Sequence, residues 1–130
     1  MASAKTGAKT DGRRALGAFG EQVAAEALEK AGMAVLDRNW TSRYGEIDIV
    51  AQDGSMLVVV EVKTRRSVRF GAPHEAVVPT KLSRLRRLTG VWIDAHRESL
   101  GWVRGVRIDV VSVRCLSGQA PIVEHLRGVS

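Results

Sequence analysis

No stretch of this 130-residue chain approaches the ~20 consecutive apolar residues that a bilayer-crossing helix needs, so no membrane partner is expected. The N-terminus also lacks the short apolar core of an export signal. With one cysteine, Cys115, there is no internal disulfide, and a lone cysteine in a strand-like run reads as a small core residue. A reducing cytoplasm is the compartment this implies. The three histidines, His74, His96 and His125, are scattered and make no zinc-type spacing. Glycines are isolated rather than clustered, which excludes a phosphate loop and with it ATP or GTP use. Internal repeats are absent. Acidic residues are also in short supply, 14 Asp and Glu against 20 Lys and Arg, for a formal net charge of +6. A surplus of that kind points to a polyanionic partner.

The surplus is unevenly placed. In residues 1–14, Lys5, Lys9, Arg13 and Arg14 face only Asp11, in an Ala/Gly/Ser/Thr/Lys stretch that reads as a disordered tail over 1–13. Between Lys63 and Arg87, the cations Lys63, Arg65, Arg66, Arg69, Lys81, Arg84, Arg86 and Arg87 face Glu75 alone. A solvated basic helix face would account for Lys81 to Arg87, but not for the basic strand before it. Arg65, Arg66, Arg69, Lys81, Arg84 and Arg87 are therefore candidate nucleic-acid contacts, with DNA favoured over RNA.

Just before this stretch, residues 45–63 read GEIDIVAQDGSMLVVVEVK, two Val/Ile-rich runs around Asp53-Gly54. An Asp-Gly pair in that setting is a strong hairpin signal. Pairing across it sets Ala51 opposite Met56, Asp48 opposite Val59 and Glu46 opposite Glu61, with Glu46, Asp48, Glu61 and Lys63 on one face. Asp48 and Glu61 become diagonal neighbours, roughly 7 Å apart at the backbone, close enough to share one ion. Two carboxylates suit a hard cation such as Mg²⁺ or Mn²⁺, and a lysine beside them can orient or deprotonate a water. The competing reading is a solvated Glu/Lys ladder of little energetic weight. The apolar run Met56 to Val62, interrupted only by Glu61, argues for a strand covered on both faces, where charge is seldom left without a role.

An acid, a hairpin and then Glu-x-Lys resemble the PD-(D/E)xK nuclease superfamily in its archaeal Holliday junction resolvase form. More closely, GEID followed by VVVEVKTR, preceded by GAFGEQVAAEAL and DRNW, resembles the uncharacterised bacterial YraN-like family across about residues 16–126. The resemblance implies a restriction-endonuclease-like α/β fold. It implies that Asp48 and Glu61 hold the metal, Lys63 is the catalytic lysine and Glu21 is a fourth acidic member of the catalytic set. Ile47 stands where the superfamily's name has proline.

The remaining pattern fits that fold. A helix over 14–31 carries Leu16, Gly20, Val23, Ala24, Ala27, Leu28 and Ala31 in one stripe, with Glu21 on its rim and Gly32 as its stop. A short strand over 33–38 and a polar turn at Arg38, Asn39 and Trp40 precede the hairpin. Residues 66–79 read as a loop, and 80–96 as a helix with Leu82, Leu85, Leu88, Trp92 and Ala95 inward. Strands over 106–115 and 122–126 follow, the first with Arg107 and Asp109 as a polar flank, Asp109 read as structural. Trp40, Trp92 and Trp102 read as packing residues rather than a stacking platform. The order α-β-β-β-α-β-β gives a mixed sheet with helices packed against it, one domain over 14–130. The function expected is a metal-dependent, structure-selective DNA endonuclease. A non-cutting nucleic-acid-binding module of the same fold and a protein-interaction subunit with a basic face are the alternatives, and a homodimer is left open.

Overall fold

A computed structural model describes residues 8–66 and 79–129. Helix α1 (Ala8–Lys30) leads into β1 (Ala34–Ser42), β2 (Gly45–Asp53) and β3 (Met56–Arg65), then α2 (Pro79–Ala95), a short 3-10 turn (Arg97–Ser99), β4 (Gly105–Arg114) and β5 (Ile122–Leu126). The five strands form one open sheet in the order β1-β2-β3-β4-β5, antiparallel throughout except for the parallel β3–β4 pair, which α2 connects. No described helix is long and apolar enough to cross a membrane. The mixed sheet, the element order and the edge position of β5 match the expectation from sequence.

Each face of β3 is covered by one helix. Val58 and Val60 join Ile49, Ala51, Val111 and Val113 under Ala24, Ala25 and Leu28 of α1. Leu57 and Val59 join Ile47, Val50 and Ile108 under Leu82, Leu85, Leu88 and Trp92 of α2. Leu57 to Val60 are fully buried, and at about 1.5–3 kcal/mol per large apolar side chain this strand anchors the fold. Trp92 also donates its indole N–H to Asp37 Oδ2 at 3.0 Å and stacks on His96 at 4.0 Å, so it serves packing. Trp40 and Trp102 pack partly buried against the same cluster.

Helix α1 stops as its glycine requires. Gly32 takes φ +92°, and the N–H groups of Gly32 and Met33 donate to the carbonyls of Glu29 and Leu28, the paired bonds of a Schellman cap. Farther back, Gly20 brings the helix onto β3: a Cβ there would lie 1.9 Å from Thr64 Oγ1 and 2.8 Å from Thr64 Cβ. Gly17, one turn earlier, has nothing within 4 Å of the same position. Gly20→Ala should therefore lower the denaturation midpoint by the equivalent of about 1–3 kcal/mol, as overpacking does, while Gly17→Ala gains about 0.5–1 kcal/mol from helix propensity. Equal effects of the two changes in a urea titration would show that the close approach is not what fixes α1.

Three local expectations change. The hairpin turns on Gly54-Ser55, with Asp53 opposite Met56, because Gly54 (φ +60°) occupies the first turn position rather than the second. Met56 to Val60 thus each pair two places farther along β2 than expected. β1 does not end at Arg38: a bulge between Val35 and Asp37 and a left-handed Asn39 (φ +51°) absorb the irregularity, and pairing continues to Ser42–Gly45. Ala95, expected inward, is exposed at the last residue of α2. Most of the loop expected over 66–79, the candidate contact Arg69 and residues 1–7 of the expected tail lie outside the described residues, whereas residues 8–13, also expected in that tail, belong to α1, which begins six residues before the expected helix.

Candidate functional site

The site forms where β2 and β3 part. Their ladder runs from Asp53–Met56 to Ile49–Val60 and stops there. β2 stays on β1 to Gly45, while β3 continues along β4 to Arg65–Arg114. At the fork the Val62 N–H, which the ladder leaves free, donates to Asp48 Oδ2 at 2.8 Å. The carboxylate stands in for the missing strand carbonyl. Ile47 and Ile49 belong to opposite core clusters, so side-chain alternation breaks at Asp48. This corrects the expectation that Glu46, Asp48, Glu61 and Lys63 share one face. The shifted register nonetheless brings Asp48 to the level of Glu61.

On the α1 side lies a cleft of about 370 Å³ lined by Arg13, Leu16, Gly17, Glu21, Asp48, Val62, Lys63 and Thr64. Glu21, carried there by the turn of α1 that Gly20 seats on Thr64, has a buried Oε1 with no hydrogen-bond partner. Burial raises its pKa against the opposing charge of Arg38. Burial also pushes Asp48 up to about 7, reinforced by the negative charges of Glu61, Glu21 and Glu46 and opposed by the Val62 N–H. Glu61, Glu21 and Glu46 thus each make ionisation of Asp48 harder.

A stability test follows for the protein in EDTA. Because the native pKa of Asp48 lies above its ordinary value of 3.8, the native state binds the proton more tightly than the unfolded chain. That contribution is fully present below about pH 4 and is lost as pH rises through about 7. Asp48→Asn keeps an oxygen for the Val62 N–H but cannot ionise. It should exceed wild type by roughly 2–4 kcal/mol at pH 8 and converge with it at pH 4. Parallel stability curves from pH 4 to 8 would contradict this account of the site.

Glu61, 8% accessible, turns toward α2. Its Oε2 contacts Lys63 Nζ at 3.3 Å and also Lys81 Nζ from the first turn of α2. Burial lowers the pKa of Lys63, helped by the hydrogen bond and charge of Lys81 and opposed by Glu61. For Lys81 burial acts downward too, but its bonds to Glu61 and Lys63 and the Glu61 charge outweigh it and raise the pKa. Lys81 is therefore the firmer cation and Lys63 the weaker. Arg84 and Arg87 are exposed farther along α2, Arg65 ends β3, and exposed Arg66 lines a groove with Phe19 and Cys115.

Whether these groups could hold a divalent ion turns on their number and spacing. Among the described residues no three His, Cys, Asp or Glu side chains gather closely enough to cage a metal. One or two carboxylates with water and a substrate phosphate is, however, the usual Mg²⁺ arrangement. The unpartnered Glu21 oxygen and the raised pKa of Asp48 fit a cation at this fork. A second cleft, of about 320 Å³, lies at the other end of β4, lined by Arg86, Thr89, Val106, Arg107 and Gly128. It holds no acid, and Arg107 is committed to Asp53 and Asp109.

Sequence reasoning placed Lys81 among phosphate contacts rather than on Glu61, and it missed Arg13, Gly17 and Thr64. Arg13, Leu16, Gly17, Gly20 and Glu21 recur at helical spacing, so extending the stripe one turn toward the N-terminus would have found Arg13, and Gly17 lay within the expected helix beside Leu16. Nothing in the sequence foretold the contact of Lys81 with Glu61.

A family model described as "Uncharacterised protein family UPF0102" matches residues 20–113, a span that includes Glu21, Asp48, Glu61, Lys63 and Lys81. A "UPF0102 protein" of Streptomyces griseus is 55% identical over 91% of this chain and 98% of its own length. Those of Mycolicibacterium vanbaalenii and Kineococcus radiotolerans are 49% and 56% identical, over 93% and 89% of this chain and 98% and 93% of theirs.

Proposed function

The chain belongs to the UPF0102 family, and we propose that it is a nucleic-acid-binding protein of the PD-(D/E)xK type that cleaves structured DNA with the help of Mg²⁺ or Mn²⁺. One observation carries the reading. Asp48 and Lys63 line one cleft with Glu21, whose buried oxygen is unsatisfied, while Glu61 holds Lys63 at the fork of β2 and β3 and lies within electrostatic reach of Asp48. Binding phosphate needs only cations and gains nothing from carboxylates set among them, whereas hydrolysis of a phosphodiester needs both.

Asp48 and Glu61 would hold the ion, with Glu21 reaching it directly or through water. When bound, it would supply Lewis-acid stabilisation of charge on the phosphate. Lys63 does the proton work: its weakened ammonium gives a larger share of free amine near neutral pH, able to take a proton from the attacking water at Nζ. Glu61 fixes where that amine points. Arg84 and Arg87, on the exposed side of α2, meet the phosphate backbone on either side.

The test is a panel of branched, flapped, single-stranded and duplex DNA, with RNA counterparts, incubated with Mg²⁺ or Mn²⁺ and with EDTA. Metal-dependent nicking or cutting of at least one member is expected. Tight, salt-sensitive binding without any metal-dependent product would favour the non-cutting module. The Glu61 carboxylate, already met by two ammonium groups, is the observation on that module's side. Binding has its own check: replacing Arg84 and Arg87 together by Ala should flatten the log-log salt dependence by about 0.9 for each phosphate no longer neutralised. An unchanged slope would move the DNA-binding face elsewhere.

A further inference from the structure

Glu61 is nearly buried, and a buried carboxylate requires compensation. Two ammonium groups provide it, and both choose the same oxygen, Oε2. They are not equally placed. Lys63 rises from within the β3–β4 ladder, opposite Ser112, two residues from Glu61 on the same strand. Its backbone is fixed on both sides of the contact.

Lys81 comes from a different element, on the first turn of α2, beside exposed Pro79 and Thr80. At helical spacing after it stand Arg84 and Arg87, both exposed. Lys81 is thus the inner end of a basic row that runs from the carboxylates out to solvent. A divalent cation arriving at Glu61 would meet an ammonium within a few ångströms on one oxygen, a repulsion well above thermal energy even at an effective dielectric of about 20. Relief comes most easily from the long, flexible side chain that is tethered elsewhere.

We propose that Lys81 is a positioning residue that occupies the Glu61 carboxylate in the ion-free site, is displaced by the divalent cation, and then joins Arg84 and Arg87 in holding substrate phosphate. The inference rests on the metal-site reading above and adds its regulation. Ion and polyanion become coupled ligands. Phosphate draws Lys81 off Glu61 and opens the carboxylate to the ion, and the ion releases Lys81 to phosphate. Such coupling is reciprocal by thermodynamic necessity.

The experiment measures Mn²⁺ alone, as free ion by electron paramagnetic resonance, with and without a short DNA duplex, on the full chain. In wild type the duplex should tighten Mn²⁺ binding by about fivefold or more, the lower range of allosteric coupling. Lys81→Met should bind Mn²⁺ about five- to tenfold more tightly than wild type without DNA, and the further gain from DNA should shrink at least threefold. Lys81→Gln should repeat both changes, and Lys81→Arg should restore coupling. Arg86→Met removes a charge from the side of α2 that lines the other cleft and should match wild type in both measurements. Lys81→Met with wild-type Mn²⁺ affinity and wild-type coupling would overturn the role of Lys81 and leave the metal site standing. No Mn²⁺ binding by wild type, or binding that survives Asp48→Asn, would overturn the metal site and this inference with it.

Discussion

Asp109→Ala should cost the fold about 3–5 kcal/mol, a large part of the 5–15 kcal/mol that holds a domain of this size together. Asp109 is fully buried, and both its oxygens are occupied. Oδ1 accepts from Arg107 Nε at 3.0 Å and from the Gly128 N–H at 2.9 Å. Oδ2 accepts from Arg107 at 3.3 Å and lies 2.7 Å from His125 Nε2. It thus ties β4 to β5 and to the segment after it, whose Val129 N–H also bonds the Ile108 carbonyl. Burial works against the charge of Arg107, but Asp109 and Asp53 outweigh it and raise its pKa. Truncating Asp109 strips that guanidinium of one of two carboxylates and leaves the Gly128 amide unsatisfied. Asp109→Asn should cost less, because an amide oxygen still accepts from Gly128. The check is a urea titration with unchanged slope and a lowered midpoint, together with DNA binding measured well below the midpoint, which should be unaffected. A loss below 1 kcal/mol accompanied by loss of binding would make Asp109 a functional residue instead.

That result bears on how much of this protein is legible in its sequence. Asp109 was read as structural, but alternation with Ile108 and Val110 placed it on a polar flank. It lies instead at zero accessibility, while Val106, expected to pack, is 44% exposed. The period of a strand tells which residues share a face; what covers each end of that face depends on partners far away in sequence, here Arg107, His125 and Gly128. The same limit applies at the fork. Which carboxylates interrupt the core strands was legible, because Glu61 and Asp48 break runs of Val and Ile. How they meet was not, because the hairpin slipped by two pairings when glycine took the first turn position, and because β2 changes faces at Asp48. A two-residue slip by itself preserves facing and sets Asp48 level with Glu61, whereas the break at Asp48 puts the two carboxylates on different faces. The charge count found the basic stretch, yet it could not separate Lys81, turned inward to Glu61, from Arg84 and Arg87, which face solvent.

Lys63→Ala should reduce metal-dependent cleavage of the best DNA substrate by about 10²–10⁴-fold while changing DNA affinity only a few-fold. The two effects separate because of where Lys63 sits. Its amine touches Glu61 and lines the cleft with Asp48 and Glu21, which under the proposed function sets it at the reacting groups, whereas the exposed arginines Arg84 and Arg87 lie on the outer side of α2. Folding should be nearly unaffected, since Lys81 remains on Glu61 to neutralise it. Glu61→Ala should abolish cleavage to a similar extent but by another route, and a melting curve distinguishes them. Mn²⁺ should still raise the melting temperature of Lys63→Ala, as mass action on the native state requires, and should no longer raise that of Glu61→Ala. The informative quantity is single-turnover rate at saturating DNA, which removes binding from the comparison. Equal single-turnover rates for wild type and Lys63→Ala would deny Lys63 its proton-transfer role. Activity that persists in both variants would belong to a contaminating nuclease, and the fork of β2 and β3 would have to be assigned to binding alone.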